Sequence, residues 1–272
     1  MKTEDIKVCI MRTGGTNCDK ETKTVFDYLG TEAKVVHSNQ FIKGREKLPE
    51  YDILIFPGGF SYGDYVRAGA IWASNLKAKI GNQIKEFYDD GKPIMGFCNG
   101  FQVLVELGVL PAFNGVSEYP EAVLATNDSS RYECRLVYLR NENRGNAIHV
   151  SNLKSKQVMP IPIGHAEGKF LLPFKKREEL LKKLEDNDQI VFKYCKPDGS
   201  LANGEFPYNP NGSLSDIAGI CNPEGTVLGM MPHPERYSFG WQYRDWTRVG
   251  LKDEGEGLEI FRNTVEYVSK KF

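Results

Sequence analysis

Cys98 lies between glycines at positions minus two and plus two in Met95-Gly96-Phe97-Cys98-Asn99-Gly100-Phe101-Gln102, directly after the apolar pair Pro93-Ile94. A strand that turns sharply into a helix presses its backbone against neighbours on both sides of the turn, and residues without a Cβ tolerate that crowding. The spacing therefore predicts a nucleophile elbow, with an exposed, strained cysteine at a helix N-terminus. There the unpaired N–H groups and the positive end of the helix dipole favour a thiolate. The chemistry implied is covalent catalysis by sulfur.

A thiol nucleophile needs a base, and the chain has four histidines, at positions 37, 149, 165 and 233. His233 stands in Met230-Met231-Pro232-His233-Pro234-Glu235-Arg236, where flanking prolines hold it out of helical conformation. In an extended backbone residues i and i+2 project to one side. Glu235 then accepts a hydrogen bond from one imidazole nitrogen and leaves the other for Cys98. This predicts a Cys98-His233-Glu235 triad, with His233 as base and then acid and Glu235 fixing its tautomer. An acyl transfer also needs donors for the oxyanion: the N–H of Asn99, which follows the nucleophile, and the glycine turn Gly58-Gly59. Each such donor is worth about 10² to 10³ in rate. A plain tight turn is the competing reading of Gly58-Gly59.

Elements must bring these residues together, and the first half of the chain alternates strand-like with helix-like patterns. Strand patterns run over Val8-Met11, Ala33-His37, Asp52-Phe56 and Pro93-Cys98, and helix patterns over Thr22-Leu29, Ala70-Tyr88 and Asn99-Leu107. Such alternation predicts an α/β fold, a parallel sheet with helices on both faces. Ligands bind such sheets beyond the carboxyl ends of the strands, where Gly58-Gly59 and Cys98 would both lie. The second half is richer in strands, at Glu133-Arg140, Lys156-Ile163, Gln189-Tyr194, Asp216-Ile220 and Val227-Met231. Helical spacing returns near Glu179-Leu184 and in the terminal set Leu258, Phe261, Val265 and Val268. With no linker, repeat or low-complexity tract, residues 1–272 read as one domain.

Composition narrows the function classes. A net charge of −1 gives no field that would gather nucleic acid or an anionic membrane. No apolar stretch approaches a membrane span, and the polar Met1-Asp5 runs straight into a strand, so a cytoplasmic protein is expected. The six cysteines, at 9, 18, 98, 134, 195 and 221, show no C-x-x-C pair and no histidine at metal-ligand spacing. Free thiols and no metal are expected, with the five cysteines other than Cys98 read as small buried or half-buried apolar residues.

Taken together, Gly96-Phe97-Cys98-Asn99-Gly100-Phe101-Gln102 and Met231-Pro232-His233-Pro234-Glu235-Arg236 resemble the triad-type (class I) glutamine amidotransferases. Further motifs point to one branch, the glutaminase subunits of phosphoribosylformylglycinamidine synthase in purine biosynthesis. These are Pro57-Gly58-Gly59-Phe60-Ser61-Tyr62-Gly63-Asp64-Tyr65 with Arg67, Gly69 and Ala70-Ile71; Gly164-His165-Ala166-Glu167-Gly168; and Asn209-Pro210-Asn211-Gly212-Ser213 with Asp216-Ile217-Ala218-Gly219-Ile220. The likeness covers almost all of the chain up to Arg236.

The resemblance implies a flavodoxin-like class I glutamine amidotransferase fold, a mixed, mostly parallel sheet with helices on both faces. It implies that Cys98 attacks the side-chain amide of L-glutamine, that a glutamyl thioester forms, and that ammonia passes to a separate synthetase subunit. That subunit converts formylglycinamide ribonucleotide to the amidine. No cofactor is expected in this chain; ATP and Mg belong to the large synthetase subunit, and a small third subunit completes the complex. By the same likeness Gln102 helps form the glutamine pocket, with helix packing the equal alternative, and the Gly164-His165-Ala166 backbone holds the amino-acid end of glutamine. The loop Phe60-Ser61-Tyr62-Gly63-Asp64 closes over substrate, touches the synthetase, or is a plain surface loop. Two other readings stay open: a freestanding cysteine amidohydrolase, and a non-catalytic regulatory subunit of the same fold.

Two stretches depart from the pattern of shorter bacterial members. Lys196-Tyr208 reads as an inserted hairpin around Asp198-Gly199. Residues 237–257 add an aromatic, charged segment with Trp241 and Trp246 beside Arg244 and Arg248. That composition marks a candidate partner-contacting extension, against the alternative of packing on the domain's own surface. The loop from Arg12 to Asp19 is assigned no catalytic role.

Overall fold

In the computed structural model, which describes all 272 residues, the first half builds the predicted alternation. Strand β1 (Lys7–Arg12) is followed by helix α1 (Asp19–Tyr28), β2 (Glu32–His37), the short α2 (Ser38–Ile42), β3 (Ile53–Phe56), α3 (Ala70–Asp89), β4 (Ile94–Phe97) and α4 (Asn99–Glu106). The second half adds β5 (Val123–Ala125), β6 (Glu133–Asn141), β7 (Val158–His165), β8 (Lys169–Leu171), α5 (Arg177–Asp186), β9 (Ile190–Cys195), β10 (Ile217–Cys221), β11 (Val227–Met230), α6 (Trp246–Val249) and α7 (Leu258–Lys271).

Nine strands form one sheet in the order β2-β1-β3-β4-β11-β10-β9-β6-β7. Pairings from β2 to β11 are parallel and those from β11 to β7 antiparallel, so only β10 and β6 run against the other seven strands. Strands β5 and β8 make a separate antiparallel pair. Strand side chains alternate between the two faces, and each face has its own core. Leu54 and Phe56 of β3 join Trp72, Leu76, Ile84 and Leu104 of α3 and α4 in one cluster of 36 residues. Ile53 and Ile55 join Val25 and Phe26 of α1 and Phe261 and Val265 of α7 in another, of 30. Period-2 strands meeting period-3.6 helices on both sides produce the layered α/β architecture. No helix is long and apolar enough to cross a membrane.

The hairpin expected over Lys196-Tyr208 is confined to its first turn. A tight turn, in which Lys196 N–H donates to Ser200 O at 2.8 Å, closes a single bridge between Cys195 and Leu201. The chain then coils back onto Asp216, whose carboxylate accepts from the N–H groups of Asn203 and Gly204. Asp198-Gly199 is a turn signal, but no second apolar run follows to pair as a strand.

Candidate active site

Cys98 joins β4 to α4 with φ 50° and ψ −108°, a conformation that L-residues avoid. Strain of this kind costs about 1–3 kcal/mol and must be held in place by its surroundings. Both glycines are required by close approach: a Cβ on Gly100 would sit 1.8 Å from the carbonyl oxygen of Phe56, and one on Gly96 would sit 2.6 Å from that of Gly100. The Cys98 N–H is fixed by a 2.9 Å bond to Met230 O of the adjoining strand. In one respect the expectation fails. Cys98 is buried, 5% exposed, because the Gly164 turn packs against the elbow; its thiol points to the Gly164 carbonyl at 3.5 Å, and Tyr132 lies against Gly164 in turn.

His233 and Glu235 come together as the spacing required, by another route. Nδ1 of His233 lies 2.6 Å from Oε1 of Glu235, and both side chains are buried. The extended geometry ends at His233, however, because Pro234–Tyr237 forms a 3₁₀ turn. Proline at the first position of that turn needs no donor and has its φ already set, and the carboxylate reaches back to the imidazole from within it. Burial works against an imidazolium here, but the negative charges of Glu235 and Cys98 outweigh it and raise the proton affinity of His233 well above the ordinary value. Its Nε2 is buried and bonded to no protein group. Such a nitrogen is available for proton exchange with Cys98 and with a departing group.

Gly58 and Gly59 occupy different places. Gly58 lies beneath the imidazole, where a Cβ would meet Cε1 of His233 at 2.6 Å, and its carbonyl accepts from the N–H groups of Asn17 and Cys18. Gly59 has φ +152° and sits so close to Gly15 and Thr16 that a Cβ would be 2.7 Å from each. Its N–H donates to no group of the chain. The first-turn N–H of Asn99 likewise has no intrahelical acceptor, so both N–H groups are left free to donate.

The remaining candidates are tied to one another. The Asn99 side chain accepts from Ser61 N–H at 3.2 Å and donates to Gln102 Oε1 at 2.9 Å, while the Gln102 amide donates to the Glu167 carbonyl. Gln102 thus links α4 to the 164–168 turn. His165 is buried with Nδ1 on Asn127 Oδ1 at 3.2 Å, and burial followed by repulsion from His233 lowers its pKa to about 3, so it is neutral. Ala166 is exposed, its carbonyl accepting from Asn127 N–H at 2.9 Å. The other histidines are remote from this chemistry: His149 is buried against Thr264 of α7, and His37 caps α2.

Three groups at the site went unassigned from sequence. Cys18 lies with its sulfur 3.9 Å from His233 Nδ1, Arg236 donates from Nη2 to that sulfur at 3.0 Å, and Tyr132 lies over Gly164. The β1–α1 loop follows a strand adjoining β3, so the carboxyl-end rule alone carries Cys18 to the site. Tyr132 had no such signal. The donor atoms of Cys18, His233 and Glu235 lie within 4.8 Å of one another, but Arg236 occupies the sulfur and the Nδ1–Oε1 bond engages the other two. A guanidinium at the sulfur opposes a cation there. Elsewhere, Cys134 is exposed rather than buried, because its side chain lies on the outward face of β6; all six cysteines are free.

The family model for the CobB/CobQ-like glutamine amidotransferase domain matches residues 5–268. The phosphoribosylformylglycinamidine synthase subunit PurQ of Archaeoglobus fulgidus is 49% identical over 99% of this chain and 100% of its own. That of Methanococcus maripaludis is 40% identical over 97% and 98%. Among solved structures, PurLQS from Thermotoga maritima contains a chain that superposes with a TM-score of 0.72 at 30% identity, covering 97% of this chain and 99% of that one.

Proposed function

The chain belongs to the CobB/CobQ-like glutamine amidotransferases, and from that premise we infer that it is the glutaminase component of phosphoribosylformylglycinamidine synthase. It hydrolyses L-glutamine to glutamate and ammonia, and the ammonia serves an ATP-dependent synthetase subunit that converts formylglycinamide ribonucleotide to the amidine in purine biosynthesis. Its partners are that large subunit and a small third one, as in the PurLQS assembly. This chain needs no cofactor of its own in this reading; ATP and Mg belong to the synthetase. The free thiols fit a reducing compartment, and we place the protein in the cytoplasm.

In the mechanism we propose, His233 takes the proton of Cys98 and the thiolate sulfur attacks the side-chain amide carbon of glutamine. The carbonyl oxygen becomes an oxyanion facing the N–H groups of Asn99 and Gly59. Collapse breaks the C–N bond while His233 returns its proton to the leaving nitrogen, so that ammonia departs and a γ-glutamyl thioester remains. Water, deprotonated by His233, attacks the thioester; the C–S bond breaks and Cys98 recovers its proton. Glu235 holds the imidazole in one tautomer and stabilises the imidazolium in both half-reactions. The backbone of Gly164-His165-Ala166 and the Gln102 amide form the wall that receives the amino-acid end of glutamine. Residues 237–257, with Trp241 60% exposed and stacked on Phe239, form a face for the synthetase.

The observation that carries this reading is the strained cysteine beside a buried imidazole–carboxylate pair. It is tested by treating the protein with a glutamine-analogue electrophile and locating the adduct by mass spectrometry. Modification of Cys98 alone, faster in the presence of the synthetase, supports it, and an unmodified Cys98 overturns it.

A further inference from the structure

Glu235 has two oxygens, and only Oε1 is engaged, by His233; Oε2 is fully buried and bonded to nothing. The next residue is an arginine. Its guanidinium is held at a sulfur that lies within 4.8 Å of a Glu235 carboxylate oxygen, and a guanidinium that can reach a buried carboxylate oxygen ordinarily takes it in a charge-assisted bond. Here Arg236 gives its Nη2 hydrogen to the sulfur of Cys18 instead, at 3.0 Å. Sulfur is a weak acceptor, so its strength does not account for the choice.

The placement of Cys18 does. Its N–H bonds to Gly58 O at 3.1 Å, and its carbonyl receives the Thr22 hydroxyl at 2.7 Å. Its S–H points to Asn17 Oδ1 at 3.1 Å, leaving the sulfur lone pairs toward Arg236. Burial also keeps the Cys18 thiol protonated, so it accepts the guanidinium without adding an anion beside His233. We propose that Cys18 is a positioning residue: it holds the Arg236 guanidinium off Glu235, so that the carboxylate serves His233 alone.

The groups facing His233 can be enumerated. Glu235 and Cys98 raise its proton affinity, Cys18 touches Nδ1, Arg236 stands behind Cys18, His165 is buried nearby and neutral, and Tyr132 lies against Gly164. Of these, Arg236 is the one permanent cation, and the sulfur that holds it lies within 4.8 Å of a Glu235 oxygen. Once released it would share the carboxylate and weaken its hold on the imidazolium. The Cys98–His233 pair would then lose its last proton at lower pH.

This inference rests on the glutaminase reading and is tested in the assembled synthase, by following glutamate release against pH for Cys18→Ala and for the near-isosteric Cys18→Val. Both remove the acceptor. We expect the alkaline limb of kcat/KM to move down by about one pH unit, the low end of the shift produced by a neighbouring charge, with KM for glutamine little changed. Cys18→Ser, whose hydroxyl accepts the same bond, keeps the wild-type limb. In Cys18→Ala/Arg236→Gln, with no guanidinium left to compete, the limb returns toward wild type; a merely structural cysteine gives no such rescue. If Cys18→Ala fails to fold, the valine variant carries the test. An unmoved limb in a folded single variant, or no return in the double, overturns the inference alone. A wild-type complex that releases no glutamate overturns the reading of function as well.

Discussion

Gly58→Ala acts first on the geometry of the base, because its closest contact would be the His233 ring. The backbone at Gly58 is not in the left-handed region, so alanine meets no conformational penalty, and the effect is steric. The new Cβ would lie 2.6 Å from Cε1 and 3.3 Å from Nδ1 of His233, and 3.1 Å from the Cys18 sulfur. Ordinary contact begins at 3.4 Å, so the ring must yield about 0.8 Å (3.4 − 2.6). Gly58 itself cannot retreat easily, because its carbonyl holds the N–H groups of Asn17 and Cys18. A misplacement near 1 Å costs about 10²-fold in rate, or about 2.7 kcal/mol of barrier. Overpacking costs a further 1–3 kcal/mol, roughly, in stability. The assay is glutaminase kcat/KM in the assembled complex beside a denaturant melt of the same variant. If a folded Gly58→Ala enzyme stays within about threefold of wild type, a difference of under 1 kcal/mol, the ring is not held where the structure has it and the reasoning is refuted.

Other outcomes follow from the same geometry. Cys98→Ala should abolish glutamine-dependent amidine formation while leaving ammonia-dependent formation intact; surviving glutamine dependence would show that another group is the nucleophile. Glu235→Gln should keep the imidazole in place but remove the charge that stabilises its protonated form. Its kcat should fall by about 10⁴, as for a buried triad carboxylate replaced by its amide, and a fall under tenfold would leave Glu235 no such role. Burial holds both His149 and His165 at a pKa of about 3, below their usual 6.5. The unfolded chain therefore takes up protons at these sites first, and their stabilising contribution, complete above pH 6.5, is lost as pH falls from there toward 3. The slope is about 1.4 kcal/mol per pH unit for each histidine. His233, with its raised proton affinity, contributes the opposite slope, so the test is the difference between variants: in denaturant melts between pH 7 and 5, His149→Gln should remove one histidine's share of the loss relative to wild type, and an unchanged slope would contradict the burial argument.

The sequence makes the alternating half of the fold legible because its patterns are strong and local. Trp72, Leu76, Ile80, Ile84 and Phe87 recur at helical spacing in α3, and Ile53-Phe56 is a short apolar run bounded by Asp52 and Pro57-Gly58. The Cys98 elbow was legible for the same reason: two glycines at fixed offsets record a backbone-to-backbone approach that nothing else would require. The burial of Cys98 was not, because the turn packed against it, at Gly164, comes from β7, and a local pattern carries no information about what packs across from it. Cys18 and Arg236 escaped assignment on similar grounds. Each is unremarkable in its own segment, and their meaning lies in a contact 218 residues apart in the chain. The Lys196-Tyr208 stretch misled in extent, since a turn signal predicts a reversal but not how far a strand pairs beyond it.

The proximity of Cys98 to His233 is at bottom a fact of register. Strands β4 and β11 are parallel neighbours in which Phe97 pairs with Met230, and the Cys98 N–H bonds to Met230 O. Both chains leave the sheet at the same level, one turning at once into α4 and the other running three residues to His233. A second constraint comes from the far side, because His233 N–H bonds to Pro162 O of β7, the opposite edge strand of the same sheet. A slip of one residue between β4 and β11 would invert every side chain on the moving strand, exchanging Leu228 and Met230 of one core with Val227 of the other. The two hydrophobic cores therefore hold the nucleophile–base distance, and the chemistry inherits its precision from packing on both faces of the sheet. That is why the motif at each strand end can be short: the glycines and prolines shape the final turn, and the sheet has already brought the two ends together.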